Sequence, residues 1–392
     1  MNENNEWKQV LLSDVAFIIM GQSPKGTSYN EEGNGVPLIN GPTEFTDKYP
    51  VIKQYTTEPT KYCEEGDILL CVRGSSTGRM NIAKIKCCIG RGIGAIRQRE
   101  GLSDTNYIWY VLEYNVNEIL TKTAGSTFPN LASDEINKTE IYLPPLDAQI
   151  KIARIIGTVD RKIFEIEKKI KQFTQLKKAL AKKLLMEGIG HTEFKESEIG
   201  IIPVEWTVKC LRDITTIIMG QSPNSNSYNE EGEGLPFYQG KTEFGYMYPE
   251  AKKWCTEPTK VAEAFDVLIS VRAPVGTVNI CEEKSCIGRG LGAVRETTNS
   301  YYKFIYYLLD NSQAKLNEVG QGSTFTAINS NDLASLKIAV PQIEEQHKIA
   351  DILSALDNQI LLYTDQKSDY TQLKEGLIQQ LLTGKIRVKV ED

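Results

Sequence analysis

An apolar pattern of helical period runs for several turns after Pro145 and again after Pro341, and no other feature restricts the fold of this chain as strongly. In the first copy Ile152, Ile156, Val159, Ile163, Ile166, Ile170, Phe173, Leu176, Leu180 and Leu184 recur mostly at steps of three and four, the seam of a long helix packed on another. The second copy keeps the phase at Ile349, Leu353, Leu356, Ile360, Tyr363, Tyr370, Leu373, Leu377 and Leu381, with Lys367 as the one break. Proline is tolerated in a first helical turn and stops what precedes it, and Gly188 and Gly384 mark the two ends. At roughly 1.5 Å per residue each helix spans about 60 Å, so it acts as a spacer.

The repetition extends beyond the helices. Met20-Gly21-Gln22-Ser23-Pro24 returns as Met219-Gly220-Gln221-Ser222-Pro223, an offset of 199 residues that falls to 198 at Ile89-Gly90-Arg91-Gly92 and to 197 at Gly125-Ser126-Thr127-Phe128. So long a period excludes a solenoid and implies a tandem duplication, with the order domain, helix, domain, helix. Within each copy, strands are expected at Val15–Met20, Val36–Asn40, Asp67–Arg73 and Ala95–Arg97, a helix at Tyr107–Leu120 or Tyr302–Val319, and a closing strand at Thr139–Leu143 or Leu336–Val340. The expected class is therefore α+β: two similar, mostly-β domains joined by two long coiled-coil helices in a pseudo-twofold internal duplication. The expected segments are 1–145 and 189–341 for the domains, the second including a polar linker, 146–188 and 342–384 for the helices, and 385–392 for a tail.

Composition narrows the classes. With 41% hydrophobic and 24% charged residues the chain can bury ordinary cores, and no run of about eighteen apolar residues offers a membrane span. The opening Met1-Asn2-Glu3-Asn4-Asn5-Glu6 lacks the parts of a signal peptide, which leads to a cytoplasmic expectation. None of the eight cysteines forms a C-x-x-C pair, so buried reduced thiols are expected. A net charge of −6 excludes a chain wrapped throughout in nucleic acid, although it allows local basic faces.

No catalytic constellation emerges. Gly90-Arg91-Gly92-Ile93-Gly94-Ala95 fits a dinucleotide fingerprint in form, but a strand follows it and no helix is there to receive a phosphate. His191 in the linker and His347 at a helix start are not in repeated positions and read as solvated. No metal spacing or nucleophile elbow is present. What remains is two sets of polar loops rich in Gly, Ser, Asn, Gln, Tyr and Arg, side chains able to hydrogen-bond the edges of bases.

In order and spacing these features resemble the specificity subunit of type I restriction–modification enzymes. Each copy opens at Trp7 or Trp206, passes through a Gly-x-Ser-Pro turn and Val72-Arg73-Gly74 or Val271-Arg272-Ala273, and enters Pro-x-x-x-x-Gln-x-x-Ile-Ala-x-Ile before the long helix. The segment Thr192 to Pro203, with Glu205-Trp206 after it, is similar to the one that this family places before its second recognition domain. The resemblance implies double-stranded DNA as ligand, each domain reading one half of an interrupted target, with the two long helices packed antiparallel as the spacer. It implies two modification subunits docked on the assembly, restriction subunits joining through them, no membrane, no catalytic site and no cofactor. S-adenosylmethionine then belongs to the modification partner. A protein-only coiled-coil adaptor and a self-sufficient methyltransferase are the alternatives, the latter lacking any Asn-Pro-Pro-Tyr or Asp-Pro-Pro-Tyr motif.

Comparing the copies assigns candidate residues. Shared ones such as Gly21, Arg73 and Arg272 build the scaffold or grip phosphate, and differing exposed ones read sequence. The expected DNA-binding set is Gln22, Ser23, Tyr29, Asn40, Arg73, Ser75, Ser76, Arg79 and Arg91, with Gln221, Ser222, Tyr228, Gln239, Lys241, Arg272 and Arg289 in the second copy. Candidate readers pair Asn40 with Gln239, Pro42 with Lys241, Ser75 and Ser76 with Ala273 and Pro274, and Arg79 with Val278. Gln149, Ile152, Gln346 and Ile349 are expected to face partner subunits. The first helix carries eleven basic against five acidic residues and the second three against seven, which favours pairing of the two within one chain. Lys168, Lys169, Lys177, Lys178, Lys182 and Lys183 are left to follow the DNA backbone, to meet an acidic partner or to be solvated.

Overall fold

The structure, a computed structural model, describes residues 7–122, 130–321 and 327–389. The repeated Gly125–Phe128 and Gly322–Phe325 segments lie outside the described residues. Two compact units are present: residues up to Ile166 together with those from Gln366 onward, and Glu167–Asp365.

The first unit holds three sheets. The central one is antiparallel, with strands in the order Ala16–Met20, Ile93–Gln98, Ile68–Cys71 and Met80–Ile82. The run Ile68-Leu69-Leu70-Cys71 is buried on both faces, and strand alternation divides it. Ile68 and Leu70 enter a core with Tyr107, Ile152, Ile156, Ile378 and Leu381, whereas Leu69 and Cys71 enter another with Ile39, Ile89 and Ile93. The second core lies against a five-stranded sheet ordered Tyr29–Asn30, Gln54–Thr56, Val36–Ile39, Cys87–Ile89 and Tyr62–Cys63, whose only parallel pairing among the described strands joins Ile39 to Ile89. Lys8–Leu11 pairs with Glu140–Leu143 and ties the start of the domain to the strand that leads into the helix.

The second unit repeats all three. Thr215–Met219, Leu291–Glu296, Val267–Ser270 and Val278–Ile280 form the central sheet, and Val267 and Ile269 again face one core while Leu268 faces another. A bidentate ion pair recurs at the same place: Arg97 to Asp67 at 2.8 and 2.8 Å, and Arg295 to Asp266 at 2.8 and 2.8 Å. Each aspartate is buried and also accepts a turn N–H, from Glu64 or Glu263. Asp67→Ala leaves a half-buried guanidinium and a backbone donor without partners, and a loss of about 2–4 kcal/mol is expected in urea unfolding; an unchanged midpoint refutes this.

The long helices run Leu146–Glu187 and Ile343–Leu381. In the first unit the early part of one packs on the late part of the other, through Ile152 and Ile156 with Ile378 and Leu382. In the second unit the late part of the first helix meets the early part of the second, with the Phe173 and Tyr363 rings 5.6 Å apart. Both pairings are antiparallel and within one chain, as the opposite helix charges imply. Each is locked by one lysine. Lys374 contacts Asp160 at 2.7 Å beneath the Tyr110 hydroxyl, and Lys177 contacts Asp357 at 2.6 Å beneath the Tyr307 hydroxyl, so the roles of the two helices are exchanged between the units. Lys177 is thereby committed to an internal pair and is not available to DNA.

Several expectations need correction. The helix expected over Tyr302–Val319 is two, Tyr302–Asn311 and Gln313–Gln321, because Ser312 turns its hydroxyl back to the Leu308 carbonyl at 2.7 Å and its N–H is shared between Leu308 and Leu309. The polar linker contains a hairpin, Phe194–Ser197 paired with Gly200–Pro203. His191 is not a solvated residue: it lies edge-on to Trp206, and both donate to the Glu345 carboxylate, at 2.9 Å each. His347 stacks on Tyr301, with ring centres 3.8 Å apart. All eight cysteines are free and seven are buried, and burial pushes the Cys281 thiol up to about 11.

Candidate nucleic-acid interface

The loops that follow the buried strands of the first unit meet in an open depression of about 600 Å³ lined by Ser23, Tyr29, Asn40, Arg73, Gly74, Arg91 and Gly92. Close backbone packing builds it. Gly21 donates to the Ile93 carbonyl at 2.9 Å, Gln22 to Ile89 at 3.0 Å and Gly90 to Ile39 at 2.9 Å. A Cβ on Gly21 would stand 2.3 Å from the Gly90 oxygen, and one on Gly90 2.1 Å from Asn40 Oδ1. Only glycine fits either place, so the loops bearing Ser23, Asn40 and Arg91 are held in van der Waals contact.

Side chains complete the frame. The Arg91 N–H donates to Ser23 Oγ at 3.1 Å, and that hydroxyl donates to Asn40 Oδ1 at 3.2 Å, which leaves the Asn40 amide nitrogen on the open side. Tyr29 is half-buried and donates to the Pro24 carbonyl at 3.2 Å, while the Arg73 and Arg91 side chains are exposed. Ser75 and Ser76 occupy the adjacent turn, which ends at Arg79, whose guanidinium reaches the Phe45 carbonyl at 3.5 Å. Gln22 points outward and its carbonyl accepts the Thr60 hydroxyl.

The second unit builds the same frame around different side chains. Gln221 donates through its backbone to Ile287 at 3.0 Å, the Arg289 N–H meets Ser222 Oγ at 3.4 Å, and the Tyr228 hydroxyl donates to Pro223 at 2.9 Å. Burial raises the Tyr228 pKa above its ordinary value, so its phenol stays a neutral donor. Gln239, Lys241, Arg272 and Arg289 are exposed. Val278 is buried in a strand and takes the place of Met80 in the sheet register, which removes it as the counterpart of Arg79.

Residues that the sequence did not single out fix the loops from below. Buried Asn81 accepts from Thr46 N at 3.1 Å and donates to Thr46 O at 2.9 Å, and Asn279 does the same for Gly245. Glu44 and Glu243 cap the following turns through Gly41 N and Gly240 N. Their recurrence in both copies was the available signal.

Gln149, Ile152, Gln346 and Ile349 do not face a partner: all four are buried. Gln149 accepts from Asp104 N at 3.0 Å and donates to the Leu102 and Pro144 carbonyls at 3.0 and 2.9 Å. Gln346 makes the same three bonds, to Tyr301 N, Asn299 O and Pro341 O. The glutamine, itself buried, satisfies one buried and two half-buried backbone groups where the domain meets the first turn of the long helix.

A family model, the type I restriction modification DNA specificity domain, matches residues 4–174 and again 203–369. The chain belongs to this family. Specificity subunits of Methanocaldococcus jannaschii are similar to it: that of the MjaX type I restriction enzyme is 41% identical over 76% of this chain and 72% of its own, and that of MjaVIII 27% identical over 98% and 94%. The solved type I restriction–modification S subunit from M. genitalium shares the fold, with a TM-score of 0.66 at 18% identity and 97% of each chain covered. A specificity subunit is the DNA-recognition component of a type I complex, and the two family matches fall on the two copies of the loop frame. Among the described residues of this specificity subunit, no group of three or more His, Cys, Asp or Glu side chains could hold a metal ion, and no helix is long and apolar enough to cross a membrane.

Proposed function

We propose that each unit of this specificity subunit reads one half of an interrupted duplex target through its loop frame, and that the paired helices set the unread spacer and carry two methyltransferase subunits. One observation supports the reading above others: identical backbone frames present different side chains, Asn40 against Gln239 and Pro42 against Lys241, as two readers of unlike half-sites require. The residues shared by both frames, Arg73 with Arg272 and Arg91 with Arg289, are assigned to phosphate, together with Gln22, Ser23, Tyr29, Gln221, Ser222 and Tyr228 at the rim. In this reading the chain is non-catalytic and cytoplasmic, the methyl donor stays with the modification subunits, and restriction subunits join through them. Sequence-specific duplex binding that strengthens when the methyltransferase subunit is added tests it. Equal retention of all duplexes with and without that subunit rejects it.

The helices supply a second test. A heptad inserted near Ile166 and another near Tyr363 keeps the seam in register and adds about 10 Å. At about 3.4 Å of rise per base pair the spacer lengthens by up to about three pairs, with both half-sites unchanged. Methylome sequencing of a host carrying the lengthened subunit checks this, and full methylation of the original motif removes the helices as rulers.

A further inference from the structure

The two units match closely in framework, yet among the described residues one surface is formed in the second alone. Four rings follow one another there: Phe265 and Tyr302 with centres 5.0 Å apart, Tyr302 and Tyr301 at 5.0 Å, and Tyr301 and His347 at 3.8 Å. His347 is exposed, and Phe265 is 53% exposed. Phe265 also holds a backbone φ of +72°, a left-handed conformation that a bulky side chain occupies only at a cost. Its counterpart in the first unit is Gly66, with φ +87°, for which the same backbone is free. The glutamine clips align the rest: Asp104 N and Tyr301 N bond Gln149 and Gln346, so Asp104, Thr105 and Ile150 stand where the second unit has Tyr301, Tyr302 and His347.

Charge differs in the same direction. Burial raises the Tyr301 and Tyr248 phenols, and nearby carboxylates act in the same direction, Asp351 and Glu296 on Tyr301 and Glu282 on Tyr248. Glu296 also accepts from Tyr302 N at 2.6 Å, where the first unit uses neutral Gln98. By the same alignment Lys84 and Arg154 stand in place of Glu282 and Asp351. Lys348 follows His347 on the helix and Lys303 follows Tyr302, while the carboxylates of Asp351 and Glu296 stand close enough to the rings to add to the effect of burial on their phenols.

Exposed aromatic faces among carboxylates attract cations twice, by ring quadrupole and by charge, and repel phosphate. We propose that this ladder docks an arginine- or lysine-bearing segment of a partner protein, and that the specificity subunit therefore presents unequal protein-binding surfaces on its two otherwise equivalent units. The inference does not depend on the reading of the DNA loops, and it would survive the loss of duplex specificity.

The test uses the full chain and three probes: an alternating glycine–arginine hexapeptide, its glycine–glutamate counterpart and a short oligothymidylate. Phe265→Gly with Tyr302→Thr installs the residues of the first unit, which this fold already accommodates, and Asp351→Arg reverses one charge while leaving the rings. Saturable binding of the arginine peptide is expected for the unaltered chain, weakened about tenfold in either variant, the scale of one desolvated cation–π contact. The circular dichroism spectrum should be unchanged. No saturable binding to the unaltered chain, equal binding by the variants, or equal binding of the glutamate peptide overturns the proposal. Oligothymidylate binding that Phe265→Gly with Tyr302→Thr abolishes also overturns it, by replacing a cationic occupant with a stacked base.

Discussion

If the loop frames read the target as proposed, Asn40→Ala, Ser75→Ala and Arg79→Ala combined in one chain are expected to erase discrimination at the first half-site, while the second half-site is read as before. Each well-placed polar contact to a base edge contributes about 1–3 kcal/mol of preference for the right base, so three together remove a factor of a hundred or more. The fold tolerates the change because bonds that these side chains do not make hold the loops: Gly90 N–H to the Ile39 carbonyl, Gly41 N–H to the Glu44 carboxylate and Thr46 N–H to the Asn81 side chain all persist. Methylome sequencing reports the outcome directly. A motif that stays fully specified in both halves removes these loops from the reading surface, and one that loses both halves means that the units do not read independently.

Gln149→Ala unfolds the first unit at markedly lower denaturant, and Gln346→Ala does the same for the second. Each substitution leaves a half-buried N–H, a half-buried carbonyl and one buried carbonyl without this partner, and a buried polar group left without a partner costs about 1–3 kcal/mol. Even with water entering the gap, about 3 kcal/mol is expected, a large part of the stability of an ordinary domain. Gln149→Glu is worse, because a carboxylate then faces two carbonyl oxygens. Urea unfolding followed by fluorescence measures this. Wild-type midpoints with weakened methyltransferase binding would return these glutamines to the partner surface.

These glutamines show where sequence reading succeeds and where it stops. Periodicity located the long helices to within a few residues, since an apolar stripe depends only on spacing, and their charge asymmetry anticipated the intrachain pairing seen at Lys177 and Asp357. The duplication likewise located both loop frames. A glutamine in a first helical turn, however, has the same appearance in sequence whether it meets solvent or closes a buried junction. The choice depends on carbonyls of Leu102 and Pro144 brought in by chain folding, which no local pattern encodes. Val278 failed because the repeat loses one residue before this strand: the pairings match Val278 to Met80, and the counterpart of Arg79 is Thr277, whose carbonyl accepts from Ser270 N as that of Arg79 does from Cys71 N. His191 was misjudged because its partner, Glu345, is distant in sequence.

The nesting of the two units also orders events in time. Glu167–Asp365 is one uninterrupted stretch and contains every residue of its own largest core, so it can close as soon as it has left the ribosome. The unit that begins first in sequence cannot. Its core waits for Ile378, Leu381 and Leu382, synthesised more than two hundred residues after Ile156, and until they arrive the apolar stripe from Ile152 onward has no mate. The earlier-made domain is thus the later-finished one, and in that interval its bare seam is open to the late helix of a neighbouring nascent chain, the raw material for exchange of segments between copies.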